Sequence, residues 1–361
     1  MERRASCSMA YGQSERMTGF FCSTAFGLAF LFATGSAQGQ SLPSAGSNNL
    51  AVQSFSLTNP DEVSLLDGKA EIVEFQGRKA MRLTTELSKE QVFGFLKGVQ
   101  FQDGVIEVDI AVKTLAPPGV RMPGFLGIAF RARGDASHYD MFYLRPGNSR
   151  SEDQTMRNHS VQYVAAPEND WYRLRTEWPW VYESYADLQP EHWSRVRIQV
   201  QGRTAKLFVN DSENPSLIVD GLKGEDLQGG IALWGYAGEE AYFSNLKVTP
   251  SAPEQVTNGG EAAGSWAVEF ASDYGRYKGS LDLTRVGAAV KGTWSGDFGN
   301  GLPVSGAWRD GYIELTFDGS WTQKNSPMTA RLAGWIDGDA AKGRMCVEGR
   351  AMGQWTARRN K

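Results

Sequence analysis

Cysteine is nearly absent. Of three in 361 residues, Cys7 and Cys22 sit within the first 37, so removing a leader there leaves Cys346 alone and no intramolecular disulfide can form. Histidine is as sparse: His138, His159 and His192 stand at no ligand spacing, which excludes HExxH and comparable zinc constellations. No Asp-x-Asp-x-Asp-Gly run offers a calcium loop, and Asp337-Gly338-Asp339 reads as hairpin turn chemistry. The expectation is a protein without metal or other cofactor. Positive charge is short too: the formal net charge of −4 becomes −5 once residues 1–37 are removed with their three Arg and two Glu. With P-loop, zinc-finger and ribonucleoprotein-type spacings also missing, a phosphate-tracking nucleic-acid binder is excluded.

Long apolar runs are lacking as well. Phe20 to Ala33 falls short of a membrane span. Preceded by Arg3, Arg4 and Arg16 and followed by Gly35-Ser36-Ala37, it reads as a secretory signal over 1–37. Glu2 and Glu15 dilute its positive region, and an internal start at Met17 would remove the arginines. Cys22 follows Phe21 rather than the small residue a lipoprotein signal requires. The expected mature protein is secreted or periplasmic, without membrane insertion, and begins with a tether over 38–52 rich in Ser, Gly, Asn and Gln.

What the chain has is glycine and aromatic rings. Its 41 Gly and 11 Trp favour turn-rich β structure, and its length allows two cores. In Val105–Val112, Ile106, Val108, Ile110 and Val112 share one face while Glu107, Asp109 and Ala111 share the other, the period of a half-buried strand. Similar runs recur at 196–200, 205–209, 230–234 and 241–248, so 53–249 is expected to be a sandwich. A Pro/Gly/Ala-rich linker follows over 250–263. Beyond it, units such as Gly264-Ser265-Trp266, Gly292-Thr293-Trp294 and Gly306-Ala307-Trp308 recur mostly every 13 to 15 residues. That rhythm predicts about eight strands between Ser265 and Arg358, closing as a small up-and-down barrel over 264–361. Its tryptophans either fill the barrel or line a ligand cavity, and a small barrel favours filling.

Gly127-Ile-Ala-Phe-Arg131, Tyr139-Asp-Met-Phe-Tyr-Leu-Arg145, the pair Val196 to Val209 and Ala241-Tyr-Phe-Ser-Asn-Leu246 carry a resemblance. Residues 53–249 resemble a concanavalin A-like jelly roll, and within that superfamily the exported bacterial domains known as 3-keto-disaccharide hydrolases. The barrel is distantly similar to lipocalins or streptavidin. The resemblance implies an all-β fold, a concanavalin A-like jelly-roll sandwich followed by a small antiparallel up-and-down β-barrel, with a carbohydrate as partner. Tyr139-Asp140-Met141-Phe142 stands where that group more often shows Tyr-Glu-x-Gln, so its carboxylate and amide positions are altered. Glu107-Val108-Asp109 supplies only half of the laminarinase carboxylate pattern, with Ala111 or Val112 at the third position.

The segment between Arg145 and Tyr185 breaks the alternation with a polar and aromatic insertion, too aromatic for disorder and long enough to be functional. Sugars are held by flat apolar rings and by planar polar groups making paired hydrogen bonds. Arg131, Tyr143 and Arg145 lead into the segment as candidate substrate-binding residues. The segment adds Asn148, Asp153, Arg157, Asn158, Gln162 and Tyr163, then Trp171, Arg175 and Tyr182. His159, Glu177 and Glu183 are the candidate catalytic groups; if the resemblance extends to activity, one of them takes a proton beside a C3 ketone while Arg145 or Arg157 stabilises the enolate. A structural reading stands beside this one, in which Arg157, Arg173 and Arg175 pair with Asp153, Glu168 and Glu177 to hold a long loop together. Three functions remain open: a glycoside-cleaving enzyme, a non-catalytic glycan-binding protein, and an interaction protein of the cell envelope.

Overall fold

The computed structural model describes residues 51–117, 119–254, 260–321, 326–347 and 351–360. The expected signal at 1–37, most of the tether over 38–52, and 255–259 of the second linker lie outside the described residues.

Period-two patterning builds two antiparallel sheets. From edge to edge the first runs Leu217–Asp220, Thr204–Val209, Ser194–Gln201, Gly104–Thr114, Glu239–Pro250, Arg78–Thr85 and Gly68–Phe75, with Gln53–Phe55 also pairing to Glu239–Pro250. The second runs Glu183–Ser184, Val161–Ala166, Tyr139–Leu144, Leu126–Ala132, Gly230–Tyr236, Gln91–Leu96 and Val63–Leu66. The alternating residues Ile106, Val108, Ile110 and Val112 face Ile128, Phe130, Phe142, Ile231 and Leu233 in one buried core. Each such side chain contributes about 1.5–3 kcal/mol on burial, so strand register is strongly specified. On the other face of the first sheet, Glu107 and Asp109 pair with Arg195 and Asp109 also with Arg78, a charged strand surface.

The C-terminal part closes as an eight-stranded barrel, from Gly264–Ser272 to Ala351–Arg359, with those two strands paired to each other. Trp266, Trp294, Phe298, Phe317 and Trp355 are buried inside it, and the Trp294 and Phe317 rings stack at 4.9 Å. These three tryptophans therefore pack the interior. On the barrel's other face, Tyr312, Ala333 and Cys346 join the sandwich core. Arg203 pairs with Asp310 at 2.8 Å across this boundary, and the Tyr312 hydroxyl donates to the Asp220 carbonyl at 3.0 Å. Gly221 makes room for that phenol ring: its φ is +79°, and a methyl group there would overlap the ring of Tyr312.

One element differs from the sequence expectation. The 145–185 segment is not a free loop, because Val161–Ala166 is an interior strand of the second sheet. Its alternation is muted: Gln162 and Val164 are buried like Val161, Tyr163 and Ala165. Outside it stand three short helices, Pro146–Ser149, Gln154–Arg157 and Trp171–Glu177.

Candidate functional site

Register fixes a row of side chains across the second sheet. Glu183 stands opposite Gln162, Gln162 opposite Tyr143, Tyr143 opposite Gly127, Gly127 opposite Trp234, and Trp234 opposite Phe93. Because Ile128, Phe142 and Leu233 point into the core, this row points the other way. Gly127 lacks the side chain that would separate its neighbours, and the Tyr143 and Trp234 rings meet at 5.4 Å. Phe125 closes on Tyr143 and Tyr236 at 6.0 and 5.3 Å, and Phe93 contacts Tyr139 at 5.5 Å. The Trp234 indole donates to Gln91 Oε1 at 2.8 Å. The face is thus an aromatic floor with a polar end at Gln162 and Glu183.

Local chemistry shapes that end. Asp170 caps the helix Trp171–Glu177 by accepting from the Arg173 N–H at 2.7 Å. Pro179 pushes Trp178 out of the helical region and ends the helix there, with Trp178 at φ −133° and ψ 63°. The chain then turns through Trp180, whose φ of +68° is rare for so bulky a residue and marks a strained position. Trp180 is 62% exposed, yet its ring lies parallel to the His159 imidazole, 6° off at 6.3 Å. Trp171, Tyr172 and Tyr185 are exposed on the same segment. Large apolar rings left in water on one short stretch are the informative kind of exposure.

Beneath this rim lies a buried polar cluster. The Arg145 guanidinium donates to the Tyr143 hydroxyl at 2.6 Å, to Gln162 Oε1 at 3.0 Å and to the His159 carbonyl at 2.9 Å. Every one of those acceptors is neutral, and among the described residues no carboxylate lies within ion-pair distance of Arg145. Asn148 donates to the same His159 carbonyl and accepts from Arg121 at 3.0 Å. Glu183 takes a two-pronged bond from Arg175 at 2.9 and 2.6 Å. Its other neighbour is His159, whose Nδ1 lies 2.7 Å from Oε2, in close contact but off the alignment of a hydrogen bond. Burial holds the His159 pKa below its ordinary value against the pull of Glu183, which disfavours the charged imidazole. Burial also keeps the Tyr143 phenol protonated, with Arg145 opposing.

Of the residues expected from sequence, Tyr143, Arg145, Asn148, His159, Gln162, Arg175 and Glu183 come together here, with the Trp171 ring beneath Arg175 at 4.9 Å. Others do not join them. Glu177 pairs with Arg173 at 3.1 Å along the helix, on the partly exposed side. Arg131 is buried against Asp103 at 2.8 Å and the Gly202 carbonyl, where its φ of +51° turns it away from the row. Tyr163 faces the core and donates to Asp140. Asp153 caps the helix Gln154–Arg157, Asn158 ends it, and Arg157 lies over Tyr185 at 5.6 Å. Tyr182 is buried beside Lys223. Of the ion pairs in the structural reading of this segment, Arg173–Glu177 is present, while Arg175 turns to Glu183. Trp234, Phe93, Phe125 and Tyr236 were not expected; the alternation of Gly230–Trp234 already sets Trp234 opposite to Ile231 and Leu233.

No protein-family model matches the chain, and no curated protein matches it in sequence. Among solved structures it is similar to the carbohydrate-binding module CBM66 from Bacillus subtilis, with 15% identity over 52% of this chain and 95% of that one and a TM-score of 0.37. A Bacillus subtilis protein with a galectin-like fold matches at 12% identity over 56% and 96% of the two chains, TM-score 0.39. The exoplasmic/lumenal domain of VIP36 in a Ca²⁺- and mannose-bound form matches at 11% over 58% and 93%, TM-score 0.40. At this level of similarity the functional reading rests on the side chains above.

Proposed function

We propose that this is an exported carbohydrate-binding protein whose site is the outer face of the second sheet. The observation that carries the reading is one juxtaposition: Trp180 and Trp171 present exposed rings beside a buried cluster of Arg145, Gln162, His159, Glu183 and Arg175. Rings bind the C–H faces of a sugar, while the planar guanidinium, amide and carboxylate groups bind paired hydroxyls. Secretion or periplasmic residence, which brings the site to external glycans, belongs to the same proposal.

A second reading, cleavage of a 3-keto-glycoside, is favoured by two features of the same cluster. Burial disfavours the charged form of His159, and the carboxylate at its Nδ1 favours the Nδ1–H tautomer, leaving Nε2 as the base. Arg145 is a buried cation without a carboxylate partner, suited to a developing enolate. His159 would take the C2 proton, the C–H electron pair passing into a C2=C3 enolate. Collapse of the enolate expels the C1 oxygen with its bonding pair, leaving a C1=C2 enone and, after protonation by water, the free alcohol.

The purified protein incubated with plain and 3-keto glycosides separates the readings. Saturable retention of plain glycosides without aglycone release supports binding alone, and release from keto compounds that is lost in His159→Gln supports cleavage. Neither retention nor release on any compound would remove both.

A further inference from the structure

Resting on the sugar-site reading, we propose that the C-terminal barrel is a positioning element: Glu314, through Lys223, holds the turn Trp178–Tyr182 so that Trp180 and Glu183 face the sugar.

The turn carries both rim and acid. Trp180 stands at its tip, and Glu183 follows directly into the sheet edge. A turn whose tip residue is held at φ +68° relaxes unless its two ends are fixed. Backbone fixes part of it: the Tyr182 carbonyl accepts from the Tyr163 N–H at 2.8 Å and from Gln162 Nε2 at 3.1 Å. Side chains fix the rest. Trp178 and Tyr182, one at each end, are both buried, and the Lys223 ammonium lies 5.3 Å from one ring and 5.4 Å from the other. A single cation therefore bridges the ends of the turn.

Lys223 itself is 4% exposed, and a buried ammonium needs a counter-charge. The carboxylate that meets its Nζ is Glu314, on the barrel strand Tyr312–Trp321. The Lys223 backbone is tied down independently, its N–H donating to the Tyr163 hydroxyl at 2.7 Å. Next to it, the Trp335 indole of the barrel donates to Asp220 at 2.8 Å. Had the barrel served only as an attached domain, Arg203–Asp310 and Tyr312–Asp220 would hold it in place without reaching the turn. The Glu314–Lys223 pair does reach it.

The test uses the full chain in three forms: wild type, Glu314→Gln, and Glu314→Asp, which keeps the counter-charge beside Lys223. Amide hydrogen exchange is read in 178–183 and in the barrel, together with affinity for the best-retained glycan. The expected result is at least tenfold faster exchange in 178–183 for Glu314→Gln, with barrel protection unchanged. Sugar affinity should fall about tenfold alongside, and Glu314→Asp should keep part of both. Unchanged exchange in 178–183 for Glu314→Gln, or losses in Glu314→Asp as large as those in Glu314→Gln, overturns the clamp. If exchange and affinity stay at wild-type values in Glu314→Gln while Trp180→Ala abolishes retention, the clamp fails and the sugar site stands. If the wild type retains no glycan, the site reading fails, and the clamp as a device for presenting Trp180 falls with it.

Discussion

Trp180 concentrates the account at the scale of one residue. A bulky side chain at φ +68°, mostly in water, is costly in stability and is retained where the ring has work to do. Trp180→Gly should raise folding stability by about 1 kcal/mol through relief of the left-handed strain, and lower sugar affinity at least tenfold, as loss of an aromatic hot spot does. Thermal unfolding and equilibrium binding read the two effects separately. His159 supplies a pH signature. Its folded pKa lies below the ordinary 6.5, so below pH 6.5 the unfolded chain takes up a proton that the folded chain declines. The His159 contribution is therefore complete above pH 6.5 and is lost as the pH drops beneath it. His159→Gln should flatten that acid limb in a series of melting temperatures. In the cleavage reading, turnover should rise with pH through the lowered pKa.

At the scale of elements, one carboxylate ties down the backbone at Gly124 and Phe125, beside the aromatic floor. Glu239 accepts from the backbone N–H groups of Gly124, at 3.0 Å, and Phe125, whose ring closes on Tyr143 and Tyr236. Burial pushes Glu239 from 4.5 up to about 8 against those bonds. Between these values the folded chain binds a proton that the unfolded chain does not, so this contribution is complete at low pH and is lost as the pH rises through 8. The melting temperature of the wild type should decline between pH 6 and 8, and Glu239→Gln should remove that decline. A methyl group at Gly127 would press on the Phe142 carbonyl at 2.5 Å and the Tyr143 Cβ at 2.7 Å, so Gly127→Ala should destabilise by 1–3 kcal/mol and part the Tyr143–Trp234 pair. Denaturant melts check the first effect.

The sandwich strands were legible because a one-sided core forces strict alternation, as in Val105–Val112. Val161–Ala166 was not, because helix and sheet bury it on both sides and Gln162 is hidden with its apolar neighbours. The polar cluster was legible as a mixture of residue types. Its membership was not, since the choice between Glu177 and Glu183 as partner of Arg175 depends on a strand pairing that no spacing reveals.

For the whole molecule, the barrel boundary turns on Gly221, over which the Tyr312 ring lies. Gly221→Ala should displace that phenol and loosen the barrel from the sandwich, splitting one calorimetric transition into two, while sandwich and barrel each keep their own packed core. A single unchanged transition would show that the boundary contributes little. The central claim is that sugar binds on the outer face of the second sheet, and a pair of substitutions on opposite faces tests it most directly. Trp180 rims that face, whereas Trp193 lies on the first sheet's outer surface against Phe75 and Arg78. Equilibrium binding of the best-retained glycan to Trp180→Ala and Trp193→Ala should show at least a tenfold loss in the first and wild-type affinity in the second. Loss confined to Trp193→Ala would contradict the account and move the site to the other sheet.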